Sequence, residues 1–167
     1  FVLWMTGLPC SGKTTIAKKL QELIPNMAIL DGDELREWLS TKDFSREGRN
    51  EHNKKVAHLA KLLLNHNVPT VVSLISPFNE NRKYAREIMG NDRFVEIYIK
   101  CSLSLCEKRD DKGMYKKARQ NEIKNFTGVN DDYDIPNNPD LIVDTETESL
   151  DKNVKQIMDY LSAHNFQ

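Results

Sequence analysis

Cysteine, long apolar runs and an excess of charge of either sign are all scarce in this sequence of 167 residues. Its three cysteines, Cys10, Cys101 and Cys106, are odd in number and lack metal-ligand spacing, which argues against a disulfide framework or a zinc site and suits a reducing compartment. No apolar stretch approaches the length of a bilayer crossing. Phe1 opens directly into a strand-like run, where a signal peptide needs a basic start. A cytoplasmic protein with no membrane partner is therefore expected. Lys plus Arg (24) nearly cancels Asp plus Glu (25), leaving a net charge of −1 and no bulk electrostatic case for a nucleic-acid partner. The length suits a single domain over 1–167, and 39% hydrophobic content is enough for a core.

What is present alternates. "FVLWMT" has the apolar, β-branched and aromatic content of a buried strand, and "IAKKLQELI" follows it with Ile16, Leu20, Leu23 and Ile24 on one helical face. "MAILDGD" reads as a second strand ending in acids. The polar segment "LREWLSTKDFSREGRNEHN" separates it from a helix carrying Val56, Leu59, Ala60 and Leu63. "VPTVVSLIS", "RFVEIYIKC" and "DLIVDT" supply three more strands, the first running to Ser76, with a helix at "NENRKYAREIM" and a last one through Leu150, Val154, Ile157 and Leu161. Such alternation of apolar strands and helices predicts a five-stranded parallel sheet covered on both faces, an α/β/α sandwich whose ligands sit at the carboxyl ends of the strands. The charged stretch between the fourth and fifth strands is long for a compact domain, and residues 110–130 within it are expected to form a mobile lid.

Between the first strand and helix stands "GLPCSGKTT". Gly7, Gly12, Lys13 and Thr14 complete G-x-x-x-x-G-K-[ST] in the strand–loop–helix context that this phosphate loop requires. Backbone N–H groups there converge on phosphate oxygens, Lys13 reaches the terminal phosphates, and the Thr14 hydroxyl can ligate Mg²⁺. A P-loop NTPase fold binding ATP or GTP follows, with Gly7, Cys10, Ser11, Gly12, Lys13, Thr14 and Thr15 as the nucleotide loop. The third strand offers no metal-binding acid. Asp31 and Asp33 stand instead after the second strand, where a small-molecule kinase can use one carboxylate on an attacking hydroxyl and another toward Mg²⁺, or cap a helix. Arg36, Arg49, Arg82 and Arg109 can pair with phosphate or sulfate in a fork. Phe44 and Phe126, lying in polar loops, suit either a core plug or stacking on a nucleobase.

"GLPCSGKTT", "LDGD", "FS" with Arg49 five residues past Phe44, "ISPF", "CEKRD", "KGMYKKAR", "EIKNFTG" and "NPDLIVDT" occur in the order and approximate spacing of the adenylylsulfate kinase (APS kinase) family, which the chain resembles over essentially its whole length. The resemblance implies transfer of the ATP γ-phosphoryl group, with Mg²⁺, to the 3′-hydroxyl of adenosine 5′-phosphosulfate. It makes Asp33 the base or aligner beside Lys13 and Arg36, and Thr14 and Asp31 the metal side. It maps the donor contacts onto the loop and Arg109. Acceptor contacts fall on Arg36, Phe44, Arg49, Ile75, Ser76, Lys112 and Phe126, with the two rings sandwiching the base. Ser76 matches a serine sometimes proposed to carry phosphate, a role that in-line transfer does not need. Four residues depart from the family pattern on the acceptor side: Glu34, Gly48, His52 and Asn125. A relative acting on another nucleotide's 3′-hydroxyl, for instance cytidine diphosphoramidate in capsule biosynthesis, is the alternative, and a non-catalytic nucleotide-binding module is disfavoured by intact Lys13, Asp33 and Arg36. The resemblance does not extend to the N-terminal arm that many family members carry, which puts arm-dependent dimer regulation in doubt, and a homodimer is the one macromolecular partner left open.

Overall fold

The computed structural model describes residues 1–39 and 42–166. The elements are β1 (Val2–Thr6), α1 (Lys13–Leu23), β2 (Ala28–Asp31), α2 (Gly32–Trp38), α3 (Arg46–Asn65), β3 (Thr70–Ser73), α4 (Asn79–Met89), β4 (Phe94–Lys100), α5 (Leu103–Lys108), α6 (Met114–Arg119), β5 (Leu141–Asp144) and α7 (Leu150–Ala163). All strand pairs are parallel, in the order β2-β3-β1-β4-β5. The five-stranded parallel α/β fold predicted from the alternation is the one observed.

The pleat of β1 decides the layering. Leu3 and Met5 face one side, where Ile16, Ala17 and Leu20 of α1 and Val154, Ile157 and Leu161 of α7 complete a core. Val2 and Trp4 face the other, against Val56, Ala57, Ala60 and Leu64 of α3 and Ala85 and Met89 of α4. With β1 in the middle and both faces covered, continuous apolar strands are what burial demands. All five strands run the same way, so their carboxyl ends open on one edge, where the loops collect.

Two expectations need correction. The polar segment before α3 is largely helical: the Asp31 carboxylate accepts from Asp33 N to cap α2, and the Ser45 hydroxyl accepts from Gly48 N to cap α3. Several of its polar residues lie on exposed helix faces while Arg49, His52 and Asn53 point inward, and a search for apolar periodicity passes over both; Ser40 and Thr41 fall outside the described residues. The third strand ends at Ser73, and residues 74–76 continue as irregular chain beside the end of β1, Thr6 Oγ1 donating to the Ile75 carbonyl at 2.7 Å and Ser76 lying at φ 43°. Residues 110–130, expected as a lid, make several contacts with the body in this conformation. Asp110 caps α6 through both carboxylate oxygens, Tyr115 Oη donates to the Pro9 carbonyl at 2.9 Å, and Phe126 packs edge-on against Tyr115.

Candidate active site

Gly12 ends the loop at φ 101°, a left-handed conformation that a side chain disfavours, and turns the chain into α1. Lys13 therefore sits on the first turn and folds back: its Nζ donates to the carbonyls of Gly7 (2.9 Å) and Leu8 (2.7 Å) and to Ser11 Oγ (3.3 Å). Burial pushes its ammonium down to about 8, partly offset by nearby groups including Asp31 and Asp33. A ring of carbonyls is a poor substitute for phosphate oxygens, so the lysine is poised for an anion.

Thr14 Oγ1 donates to Asp31 Oδ2 at 2.9 Å and lies 3.3 Å from Ser73 Oγ. Register puts Asp31 beside Ser73 on neighbouring strands. Three hard oxygen donors converging at the loop fit Mg²⁺, which takes one or two protein ligands and keeps its waters. Asp31 caps α2 with its other oxygen, so one carboxylate is placed for both roles considered for the acids. Asp33 is exposed on the first turn of α2, 3.5 Å from Lys112 Nζ across the cleft.

Two cavities meet at this loop. One, of about 450 Å³, extends over Thr15 and Ile16 to Arg109, Thr145, Glu148, Leu150 and Asn153. The other, of about 550 Å³, extends past Asp31, Asp33 and Arg36 to Phe44, Arg49, His52, Ile75, Ser76, Lys112, Asn125 and Phe126. Cys10, Lys13, Thr14 and Arg109 border both. Either volume suits a nucleotide-sized ligand. Arg109 is held for the first cavity: its guanidinium donates to the carbonyl (2.7 Å) and hydroxyl (3.3 Å) of Thr145, whose hydroxyl in turn donates to the Ser11 carbonyl at 2.8 Å.

The second cavity is lined with cations and rings. Arg49 is buried, paired with Asp131 at 3.3 Å and donating to the carbonyls of Phe44 and Asn125, so it ties α3 to the chain around Phe126. Phe126 is 9% exposed and Phe44 47%, the latter beneath the guanidinium of Arg36 at 4.4 Å. Burial, then the Arg36 and Lys55 charges, hold the His52 imidazole down at about 4, which keeps it neutral at pH 7. Ser76 is 1% exposed, and its Oγ accepts from the Trp4 indole at 3.1 Å. That engagement fits a floor residue and not a phosphate carrier.

Some predicted residues lie elsewhere. Glu34 is exposed on α2 outside the cavity lining. Arg82 is buried beneath the site, donating to the Ser76 and Asp134 carbonyls and paired with Glu96 at 3.0 Å, so it braces the floor and binds no anion. Gly48 makes room for Asp43: a Cβ there would stand 2.4 Å from Asp43 Cγ and 2.6 Å from its carbonyl oxygen. The departure at 48 is thus packing, whereas His52 and Asn125 do line the cavity. Sequence reasoning missed Ser73, Thr145, Asn53, Thr127 and Asn153, all buried and lining a cavity. Ser73 and Thr145 follow the rule that ligands gather at strand ends; the others carry no sequence signal.

A buried lysine on a glycine loop, an oxygen cluster beside it and two nucleotide-sized cavities sharing that loop agree with three comparisons. The family model described as adenylylsulphate kinase matches residues 1–144. The adenylyl-sulfate kinase of Clostridium acetobutylicum is 45% identical over 98% of this chain and 84% of its own, and that of Clostridium kluyveri 42% over 96% and 83%. The structure of the Mycobacterium tuberculosis APS kinase in complex with AMPPNP and APS superposes with a TM-score of 0.87 at 37% identity, covering 96% of both chains. With the family model matched over residues 1–144 and relatives and a solved structure matched over nearly its full length, the chain belongs to the adenylylsulphate kinase family.

Proposed function

We propose that this protein transfers the γ-phosphoryl group of ATP to the ribose 3′-hydroxyl of adenosine 5′-phosphosulfate, releasing ADP and 3′-phosphoadenosine 5′-phosphosulfate. The observation that carries this reading is the meeting of two cavities at Lys13 and Thr14. A donor in the cavity toward Arg109 and an acceptor between Phe44 and Phe126 would bring their reacting ends together over the loop. The 3′-oxygen bonds to the γ-phosphorus, the bond from that phosphorus to the β–γ bridging oxygen breaks, and the hydroxyl proton passes to Asp33 and on to solvent. Lys13 follows the charge that moves onto the departing diphosphate. Arg36 and Arg49 neutralise the acceptor's phosphosulfate, and Lys112 closes over Asp33 from the lid. Mg²⁺, held through Thr14 and Asp31, would supply charge neutralisation at the phosphates. Three free thiols and an ATP donor support a cytoplasmic site of action. Among the described residues no helix is long and apolar enough to cross a membrane.

The relatives favour adenosine 5′-phosphosulfate, and the case for a second acceptor rests on one observation. His52 and Asn125, two of the departures from the family pattern, line the acceptor cavity, where a changed donor and acceptor set can redirect base or terminal-group recognition. On that reading the same machinery phosphorylates a related nucleotide such as cytidine diphosphoramidate. The test of the shared chemistry is ADP release from ATP in the presence of each acceptor, with Asp33→Asn alongside. The variant should lose about 100-fold or more in kcat while binding ATP as before. Unchanged kcat in Asp33→Asn would remove the proton-accepting role from this carboxylate.

A further inference from the structure

Three consecutive carbonyls of the phosphate loop are held by side chains. Lys13 Nζ takes those of Gly7 and Leu8, and the third, that of Pro9, accepts from Tyr115 Oη at 2.9 Å. Tyr115 belongs to α6 and is 2% exposed; Asp110 accepts from its backbone N–H, and its ring meets Phe126 edge-on with centroids 4.9 Å apart. A trans peptide is planar, its C=O and N–H pointing opposite ways, and no peptide bond among the described residues is cis. Fixing the Pro9 carbonyl toward Tyr115 therefore aims the Cys10 N–H, the other end of the same unit, away from it. That N–H is available to a ligand. Gly7 N donates to the Ile75 carbonyl and Ser11 N to that of Leu8, Pro9 has no N–H, and Cys10 N donates to no backbone carbonyl among the described residues. Cys10 borders both cavities. Its φ of 61° is a conformation that a side chain disfavours and that surrounding contacts must hold. When a triphosphate draws Lys13 off the carbonyls of Gly7 and Leu8, the Tyr115 bond is the side-chain anchor that remains on the three.

We propose that Tyr115 is a positioning residue for the phosphoryl donor, its hydroxyl holding the Pro9–Cys10 peptide so that the Cys10 N–H meets the donor's phosphates. One side chain then serves both substrates: the hydroxyl orients the loop, and the ring steadies Phe126 on the acceptor side. The inference rests on the assignment of the loop to the phosphates of ATP, and its first test uses no acceptor, so that its failure is separate from a wrong acceptor. Protein labelled with ¹⁵N at cysteine gives one amide signal each for Cys10, Cys101 and Cys106, and the signal missing from Cys10→Ser is that of Cys10. In the wild type, ATP should move the Cys10 amide proton downfield, the mark of a hydrogen bond to an anion. Tyr115→Phe removes the hydroxyl and keeps the ring on Phe126. In that variant the shift should be lost and the calorimetric Kd for ATP should rise about tenfold, the loss expected for one hydrogen bond to a charged group. KM for adenosine 5′-phosphosulfate should stay as in the wild type, because the Phe126 contact survives. A Cys10 amide that ATP leaves unmoved in the wild type overturns the proposal whether or not the variant folds. A shift retained in Tyr115→Phe, or an unchanged Kd for ATP, overturns it as well. A rise in both constants by one factor does the same, because loosening of α6 as a whole would produce that result.

Discussion

His52 should set an acid limit to this fold. Its imidazole lines the acceptor cavity at 2% exposure, held near 4 by burial and by Arg36 and Lys55, against 6.5 in an unfolded chain. The folded value is the lower one, so between pH 6.5 and about 4 the unfolded chain takes a proton that the folded chain refuses. Stability present above pH 6.5 therefore declines on acidification by about 1.4 kcal/mol per pH unit, reaching about 3 kcal/mol near pH 4. His52→Asn removes the titrating group and keeps a polar side chain in the same place. Urea unfolding followed by circular dichroism from pH 7.5 to 4.5 measures both proteins, and carboxylate effects common to the two cancel in the difference. At pH 4.5 the wild type should have lost about 2–3 kcal/mol more than the variant. Parallel stability curves would show that His52 is protonated in the folded state at ordinary cost, and the reasoning about its burial would fail.

Two other consequences follow from the same physics. Lys13, held at about 8 by burial, is largely uncharged in the free protein at pH 9, and a bound triphosphate should restore its proton. Calorimetric titration of ATP in buffers of different ionisation enthalpy should show uptake of about one proton at pH 9 and little at pH 7; equal enthalpies in the two buffers at pH 9 would contradict it. Gly48→Ala drives a methyl into both the side chain and the backbone carbonyl of Asp43 and should cost about 1–3 kcal/mol, seen as a lowered Tm. A neutral Gly48→Ala would mean that the turn at Asp43 yields freely.

The phosphate loop was legible because pattern and context coincide: backbone geometry demands Gly12, phosphate demands Lys13, and strand and helix signals flank both. The parallel sheet followed from apolar strands that must be covered on two faces, whereas its strand order, β2-β3-β1-β4-β5, came only from the structure. The helices α2 and α3 were less visible at their starts because caps at Asp31 and Ser45, and not apolar spacing, begin them. Phe44 and Phe126 looked alike in sequence, yet Tyr115 and the turn at Asn130 bury only Phe126. Arg82 resembled the other arginines until its carbonyl partners and Glu96 placed it under the floor. Nothing in the sequence singles out Asn53 or Asn153, which only the fold buries.

The most direct measurement is the product itself. Purified protein, ATP and Mg²⁺ would be incubated separately with adenosine 5′-phosphosulfate and with cytidine diphosphoramidate, kcat/KM determined for each, and the new phosphate located by ³¹P NMR with coupling to the ribose protons. The account predicts a 3′-phosphomonoester coupled to H3′, formed with the higher kcat/KM from adenosine 5′-phosphosulfate. A higher kcat/KM for cytidine diphosphoramidate, with the phosphate still at O3′, would contradict the named acceptor, and no 3′-phosphate from either would contradict the two-cavity account of phosphoryl transfer.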